Sequence, residues 1–394
     1  MKIDGFSFSA VEAGIRYNDR LDLGLMVCEK PCPTAGVFTT NQVKAAPVLL
    51  DIERLQKGVA RAILVNSGCA NACTGEKGME TARLTGKMVA DLLHIPEDHV
   101  LLSSTGVIGE QLNINAFENN SKKLVASLGP ENFRKVALAI MTTDTVMKTA
   151  QTNVKIGDTN VKIVGMAKGS GMIMPDMATM LSFIFTDAKI NPVELKKMLL
   201  DSVKKTLNRV SVDGDTSTND MTIIMAGGTA ANNIIDGDNG TGRQQFLRGL
   251  ESVLRDLALQ IVRDGEGATK TITIKVEQAK CSDDAEKMAR TIANSSLVKT
   301  AFFGEDANWG RILMAMGRSG VIFSPEKVDI SFDDIPIVRN GVAVGESAEE
   351  SAGEVLKKKS FTVNVNLHDG VSCEEVYTCD FSIDYVKINA DYRS

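Results

Sequence analysis

Lys168-Gly169-Ser170-Gly171-Met172-Ile173-Met174-Pro175-Asp176-Met177-Ala178-Thr179 runs without a break into Met180-Leu181-Ser182-Phe183-Ile184-Phe185-Thr186, and the reading of this stretch decides the fold. Its second part is short and apolar, bounded by turn residues before it and by Asp187 after it, and so reads as a buried strand. Its first part is a glycine-rich loop carrying one lysine. Thr179 stands where the loop becomes the strand. A chain broken before Thr179 would begin with a threonine tied down by the strand behind it.

Outward from this point, Val154-Lys155-Ile156 and Val161-Lys162-Ile163 alternate around Gly157-Asp158, the pattern of a hairpin leading into the loop. Downstream, Pro192 to Leu207 reads as a helix with Asn191 as its cap and Pro192 in the first turn. Asp213 to Asp220 is a polar loop feeding a strand at Met221 to Ala226. A long amphipathic helix over about Gln244 to Val262 leads through Asp264-Gly265-Glu266-Gly267 to an alternating strand, Ile272 to Val276. The first hundred residues give short strands at Leu21 to Val27, Gly36 to Thr39, Ala46 to Leu50 and Ala62 to Asn66. Next come a small-residue loop from Asn66 to Cys73, a helix near Met79 to Leu93 and a strand at His99 to Ser103. Helices follow around Ile114 to Leu128 and Asn132 to Met141. From about residue 283 the composition shifts to an antiparallel-looking, strand-rich tail, with strands at Val328 to Phe332, Ile335 to Val338, Phe361 to Leu367 and Glu375 to Tyr385. The fold class is α+β: mixed sheets layered with helices, and a smaller C-terminal α+β part.

The 394 residues suffice for two or three domains, and 43% hydrophobic and 24% charged content are those of a soluble globular protein. A net charge of −6 without long single-sign runs argues against nucleic acid or an anionic membrane as partner. The amino terminus lacks the apolar core of a signal peptide, and no stretch approaches the roughly 18 to 20 apolar residues of a membrane span. Seven cysteines, an odd number in a core-rich chain, point to reduced thiols and a cytoplasmic location.

The three histidines, His94, His99 and His368, lie beside no candidate nucleophile, which removes a Ser–His–Asp triad. Cys28/Cys32 and Cys69/Cys73 have no partner CxxC or HxxxH, so no metal site is read. No GxxxxGK[ST] or GxGxxG follows a strand. Asp213 to Asp220 and Asp236 to Gly240 lack the full spacing of calcium loops and read as solvated turns. What remains is hydroxyl chemistry without histidine. A threonine uncovered by chain cleavage can use its own α-amino group as base, since that amine titrates at about 7.7–8.0. Standing alone, a threonine at a strand start is more often structural.

The chain resembles the ornithine acetyltransferase family, the glutamate N-acetyltransferases of arginine biosynthesis. The likeness lies in Val65-Asn66-Ser67-Gly68-Cys69-Ala70-Asn71-Ala72, Ser104-Thr105-Gly106-Val107-Ile108-Gly109, Met141-Thr142-Thr143-Asp144-Thr145, Lys168 to Ile173, Met177-Ala178-Thr179-Met180-Leu181 and Gly304-Glu305-Asp306-Ala307-Asn308-Trp309-Gly310-Arg311. It implies an N-terminal-nucleophile-like αββα architecture and self-cleavage between Ala178 and Thr179. The two products would be an α chain, 1–178, and a β chain, 179–394, of which about 179–282 completes the catalytic domain and about 283–394 forms the C-terminal domain. Two copies of each half would assemble. By the resemblance Thr179 is the nucleophile that carries acetyl from N-acetylornithine to glutamate, and Thr105 and Gly106 form the oxyanion hole. Thr142, Lys168, Thr179, Glu266, Asn389 and Ser394 contact the substrate. Threonine is the common last residue, so Ser394 departs while keeping the hydroxyl. No bound cofactor is implied, and acetyl-CoA stays open as a co-substrate. Trp309 reads as a core anchor in a loop near the cleft, and the Asn66 to Cys73 loop as packing beside it. Two alternatives stand beside transfer: an amidase or aminopeptidase of the same fold, and a non-catalytic oligomer.

Overall fold

A strand that is apolar along its whole length must be covered on both faces. Leu181–Thr186 is such a strand: Leu181, Phe183 and Phe185 point into one core and Ile184 into another. It runs parallel to Met221–Ala226 and antiparallel to Thr159–Lys168, which forms the expected hairpin with Lys148–Ile156. The structure is a computed structural model and describes residues 1–174, 180–237 and 240–391.

Leu21 to Val27 and Gly36 to Thr39, separate strands by sequence, belong to one 16-residue strand, Leu23–Phe38. Its first half pairs with Phe6–Val11 and Val59–Cys69, its second half with Met221–Ala226. The register with Val59–Cys69 shifts between Val27 and Cys32, the mark of a bulge that bends a strand. The eight-stranded sheet therefore folds into two layers facing each other. Phe6 and Phe8 from one layer each meet Phe185 of the other edge-on, with ring centroids 5.2 Å apart. Such pairs add roughly 0.5–1.5 kcal/mol each beyond burial. Helices Ala46–Arg54, Gly75–Leu93 and Ile114–Ala126 cover one outer face, and Pro192–Lys205 and Thr241–Arg263 the other. The αββα order is thus four layers joined by three apolar interfaces. Asn191 caps Pro192–Lys205 as read, accepting from the Val193 N–H at 2.9 Å.

A second, seven-stranded sheet runs in the order Val342–Ala343, Ile335–Arg339, Asp329–Phe332, Ser360–Asn366, Thr271–Ala279, Ser372–Cys379, Val210–Ser211. Its core is closed by Ser282–Ala293, Ser296–Phe303, Trp309–Gly317 and Glu346–Leu356. The sheet reaches back in sequence to Thr271–Ala279, whose pairing with Ser360–Asn366 is parallel, and further still to Val210–Ser211 at its edge.

Three local readings change. Ala46 to Leu50 is the start of a helix, not a strand: Pro47 sits in its first turn, and the buried set 46, 50 and 54 has helical spacing that a five-residue window cannot display. Glu375 to Tyr385 is not one strand, because Ser372–Cys379 ends and the helix Ile383–Asp391 begins. Ser296–Phe303 and Trp309–Gly317 are helices that sequence reading left unassigned. Among the described residues no helix is long and apolar enough to cross a membrane.

Candidate active site

Val59–Cys69 and Val100–Val107 run parallel, so Ser67 and Gly68 lie beside Thr105 and Gly106. Gly106 has φ of +133°, and a β-carbon there would stand 2.3 Å from the Gly68 carbonyl carbon and 2.6 Å from the Cys69 nitrogen. Only glycine allows the two strand ends to approach so closely. Lys168 is the register partner of Leu181, so the loop between them returns to the point it left. The Lys168 ammonium reaches across to donate to Thr105 Oγ1 at 3.2 Å.

A cleft of about 410 Å³ opens here. Thr105, Gly106, Thr142, Lys168, Glu266 and Asn389, from five separate segments, all line it. Ala178, Thr179 and Ser394 lie outside the described residues, although Met180 and Leu181 line the same cleft. Asp213 to Asp220 does not behave as a solvated turn. Asp213 and Asp215 to Asp220 line the cleft, and Asp220 is only 3% exposed.

Buried charge fixes the loops. Lys148, fully buried, pairs with Asp144 at 2.6 Å and with Asp264 at 2.5 Å. Asp144 also accepts from the N–H of Gly169 at 2.7 Å and of Thr142 at 3.0 Å, while Asp264 takes the N–H and hydroxyl of Thr145. One lysine thereby ties the Thr142 loop, the glycine loop and the end of Thr241–Arg263 together. Burial pushes the Asp144 carboxyl up, but the charges of Lys168 and Lys148, with hydrogen bonds from Lys148 and the Gly169 N–H, hold it below the usual carboxylate range. For Lys168, burial lowers the pKa, and the nearby Asp144 only partly offsets this. Burial lifts Asp220 well above the usual carboxylate range against the pull of Ser217 and Lys168, and its Oδ2 has no hydrogen-bond partner.

The opposite wall comes from the Gly265 to Gly267 turn and the last helix. The Glu266 N–H donates to Ser170 O at 2.9 Å, and the Glu266 carboxylate accepts from Asn389 Nδ2 at 2.9 Å. Gly171 is small because a β-carbon there would meet that carboxylate at 2.4 Å. At Gly267, φ +67°, a β-carbon would strike the Tyr385 nitrogen at 2.4 Å, so this glycine lets the helix Ile383–Asp391 dock. Tyr385 and Asn389, one turn apart, both face the cleft.

The chain as a whole matches known proteins. The ArgJ family model covers residues 7–394. The chain belongs to the ArgJ family. "Arginine biosynthesis bifunctional protein ArgJ" of Desulfotalea psychrophila is 63% identical over 395 residues, all of both chains. Its namesake in Geobacter sulfurreducens is 50% identical over 394 residues, again all of both chains. The crystal structure of the ArgJ protein of Bacillus halodurans, 42% identical, superposes with a TM-score of 0.52 over 54% of this chain and 100% of that one. Membership makes this chain an acetyltransferase of arginine biosynthesis, as the resemblance implied.

Within this ArgJ-family cleft, sequence reading missed Asp144 with Lys148 and Asp264, and also Asn219. The Asn219 side-chain amide donates to Ala70 O at 2.6 Å and to Ser104 O at 2.8 Å, joining the loop before Met221–Ala226 to the strand end that carries Thr105. A signal existed: a polar loop feeding an apolar strand. Trp309 does not line the cleft. It opens the helix Trp309–Gly317 on the second core, with its indole N–H donating to Glu349 at 3.0 Å. The Asn66 to Cys73 loop does lie beside the site, through Ala70.

Proposed function

We propose that this chain moves the acetyl group of N2-acetyl-L-ornithine to L-glutamate by way of an acetyl ester on Thr179. The observation that carries this reading is the meeting of Thr105, Gly106, Thr142, Lys168, Glu266 and Asn389 in one cleft, whose floor is where the residues after Thr179 enter the core. Thr105 hydroxyl and the Gly106 N–H stabilise the developing oxyanion, the contribution that commonly dominates acyl transfer. Lys168 holds the substrate α-carboxylate by a charge-assisted hydrogen bond. Glu266 accepts from the substrate amine, and Thr142, Asn389 and Ser394 supply neutral hydrogen bonds.

The nucleophile is made by self-cleavage. Thr179 Oγ bonds to the Ala178 carbonyl carbon, the 178–179 C–N bond breaks, and the hydroxyl proton ends on the freed amine. Water then divides the ester into an Ala178 carboxylate and a Thr179 hydroxyl, leaving chains 1–178 and 179–394. The freed amine next serves as base for acetyl transfer. Support comes from the Bacillus halodurans relative: its solved chain aligns completely with 54% of this one, close to the fraction that follows residue 178. About 179–282 then belongs to the catalytic unit and about 283–394 to the C-terminal one, with two copies of each half in the assembly. The "bifunctional" relatives favour acetyl-CoA as a second donor. The described free cysteines suit a cytoplasmic enzyme. The test is acetylornithine consumption with and without glutamate: dependence on glutamate is expected, and equal consumption without it identifies a hydrolase.

A further inference from the structure

The proposed break falls within residues 175–179, and the backbone is held on both sides of them. On the carboxyl side, Met180 O accepts from the Met221 N–H at 2.9 Å and Leu181 opens the central strand. On the amino side, one carboxylate takes two successive amides: Asp213 accepts from Met172 N at 2.6 Å and Ile173 N at 2.8 Å. Ile173 O accepts from Val212 N at 2.7 Å, and Met174 O from the Thr216 hydroxyl at 3.0 Å. Met172 has φ of +55°, a left-handed conformation that few residues other than glycine adopt, and its neighbour's amide is thereby turned toward the same carboxylate. Tyr385, from the C-terminal helix, lines the same cleft as Asp213.

We propose that Asp213 is a positioning residue for self-cleavage, clamping Met172 and Ile173 so that the chain approaches the 178–179 bond from a fixed point. This rests on the reading that the chain is cut between Ala178 and Thr179.

The experiment follows fragment appearance in freshly synthesised full-length protein by denaturing gel and intact mass. In Asp213→Asn one of the two acceptors becomes an NH₂ donor facing an amide, and cleavage slows about 10- to 100-fold, the loss of one charge-assisted hydrogen bond at the reacting geometry. Asp213→Glu, which keeps charge and both acceptors, recovers part of the rate. Thr216→Val, which removes the hydroxyl that donates to Met174 O, slows cleavage by a smaller factor. Ile330→Val, a conservative change in the second core, serves as the stability control and cleaves at the wild-type rate. Wild-type cleavage in Asp213→Asn, or slowing in Ile330→Val equal to that in Asp213→Asn, overturns the proposal. Should Asp213→Asn not fold, Thr216→Val decides, since it loosens the same stretch at Met174: a slower cut supports the clamp and an unchanged one overturns it. A wild-type chain that is active yet uncut overturns the underlying reading of cleavage instead.

Discussion

Replacing Lys148 by methionine removes the one cation that two buried carboxylates share. Lys148 and Asp144 have no side-chain exposure and Asp264 has 5%. Methionine fills a similar volume, so the change is electrostatic rather than a cavity. Breaking a buried ion pair from one side typically costs about 3–5 kcal/mol, because the stranded charge keeps its desolvation penalty. Here two carboxylates lose their shared partner, and the backbone N–H groups of Gly169, Thr142 and Thr145, with the charge of Lys168 near Asp144, compensate only in part. A loss of about 3–5 kcal/mol at pH 7 is therefore expected, a large part of the roughly 5–15 kcal/mol that holds a domain folded. Urea unfolding reads it as a fall in midpoint with unchanged slope. Lys148→Met/Asp264→Asn, which removes one stranded charge, recovers part. The pH profile adds a second reading. The Asp144 pKa is depressed in the folded state, so its contribution is present above its unfolded pKa and is lost as pH falls through the folded value. Without Lys148 the folded value rises and the acid loss begins at higher pH. A stability loss below about 1 kcal/mol, the scale of an exposed pair, would refute the reasoning.

Thr105→Ala lowers kcat for acetyl transfer by about 10²–10³ with a smaller change in KM, and Thr105→Ser recovers most of it. Gly106→Ala is worse and also destabilises, since its methyl group would lie 2.3 Å from the Gly68 carbonyl carbon; kinetics and urea unfolding read the two effects separately. Lys168→Met raises KM for acetylornithine by about 10- to 100-fold, the loss of a charge-assisted contact. Asp220→Asn becomes more stable relative to wild type as pH rises above about 4, where the unfolded carboxyl titrates. The folded carboxyl titrates above its unfolded value, so its stabilisation is complete below the unfolded pKa and fades as pH passes the folded one. Parallel unfolding curves across that range would contradict the assignment.

Residues 181–186 were legible because their apolar run has a single physical reading, a strand covered on both sides. The hairpin before them and the helix capped by Asn191 were legible for the same reason, that local chemistry and tertiary context agree. Ala46 to Leu50 was not, since helix and buried strand share a short apolar pattern. The tail misled at Tyr385, where a strand ends and the docking helix depends on Gly267, more than a hundred residues away. At the site, Thr105, Gly106, Thr142, Lys168, Glu266 and Asn389 came from family likeness, and the fold brings them into one cleft. Lys148 and Asp213 escaped because a charged residue in sequence looks like surface. Only the fold shows that one is fully buried between Asp144 and Asp264 and that the other holds the amides ahead of residue 175.

Intact mass spectrometry of the purified protein, before and after N-acetylornithine is added without glutamate, puts the sharpest question to Thr179. Two polypeptides parting between Ala178 and Thr179 are expected, with one added acetyl group confined to the piece that begins at Thr179. A fully active protein that remains one unbroken chain, or an acetyl group found only on residues 1–178, would contradict the proposed chemistry.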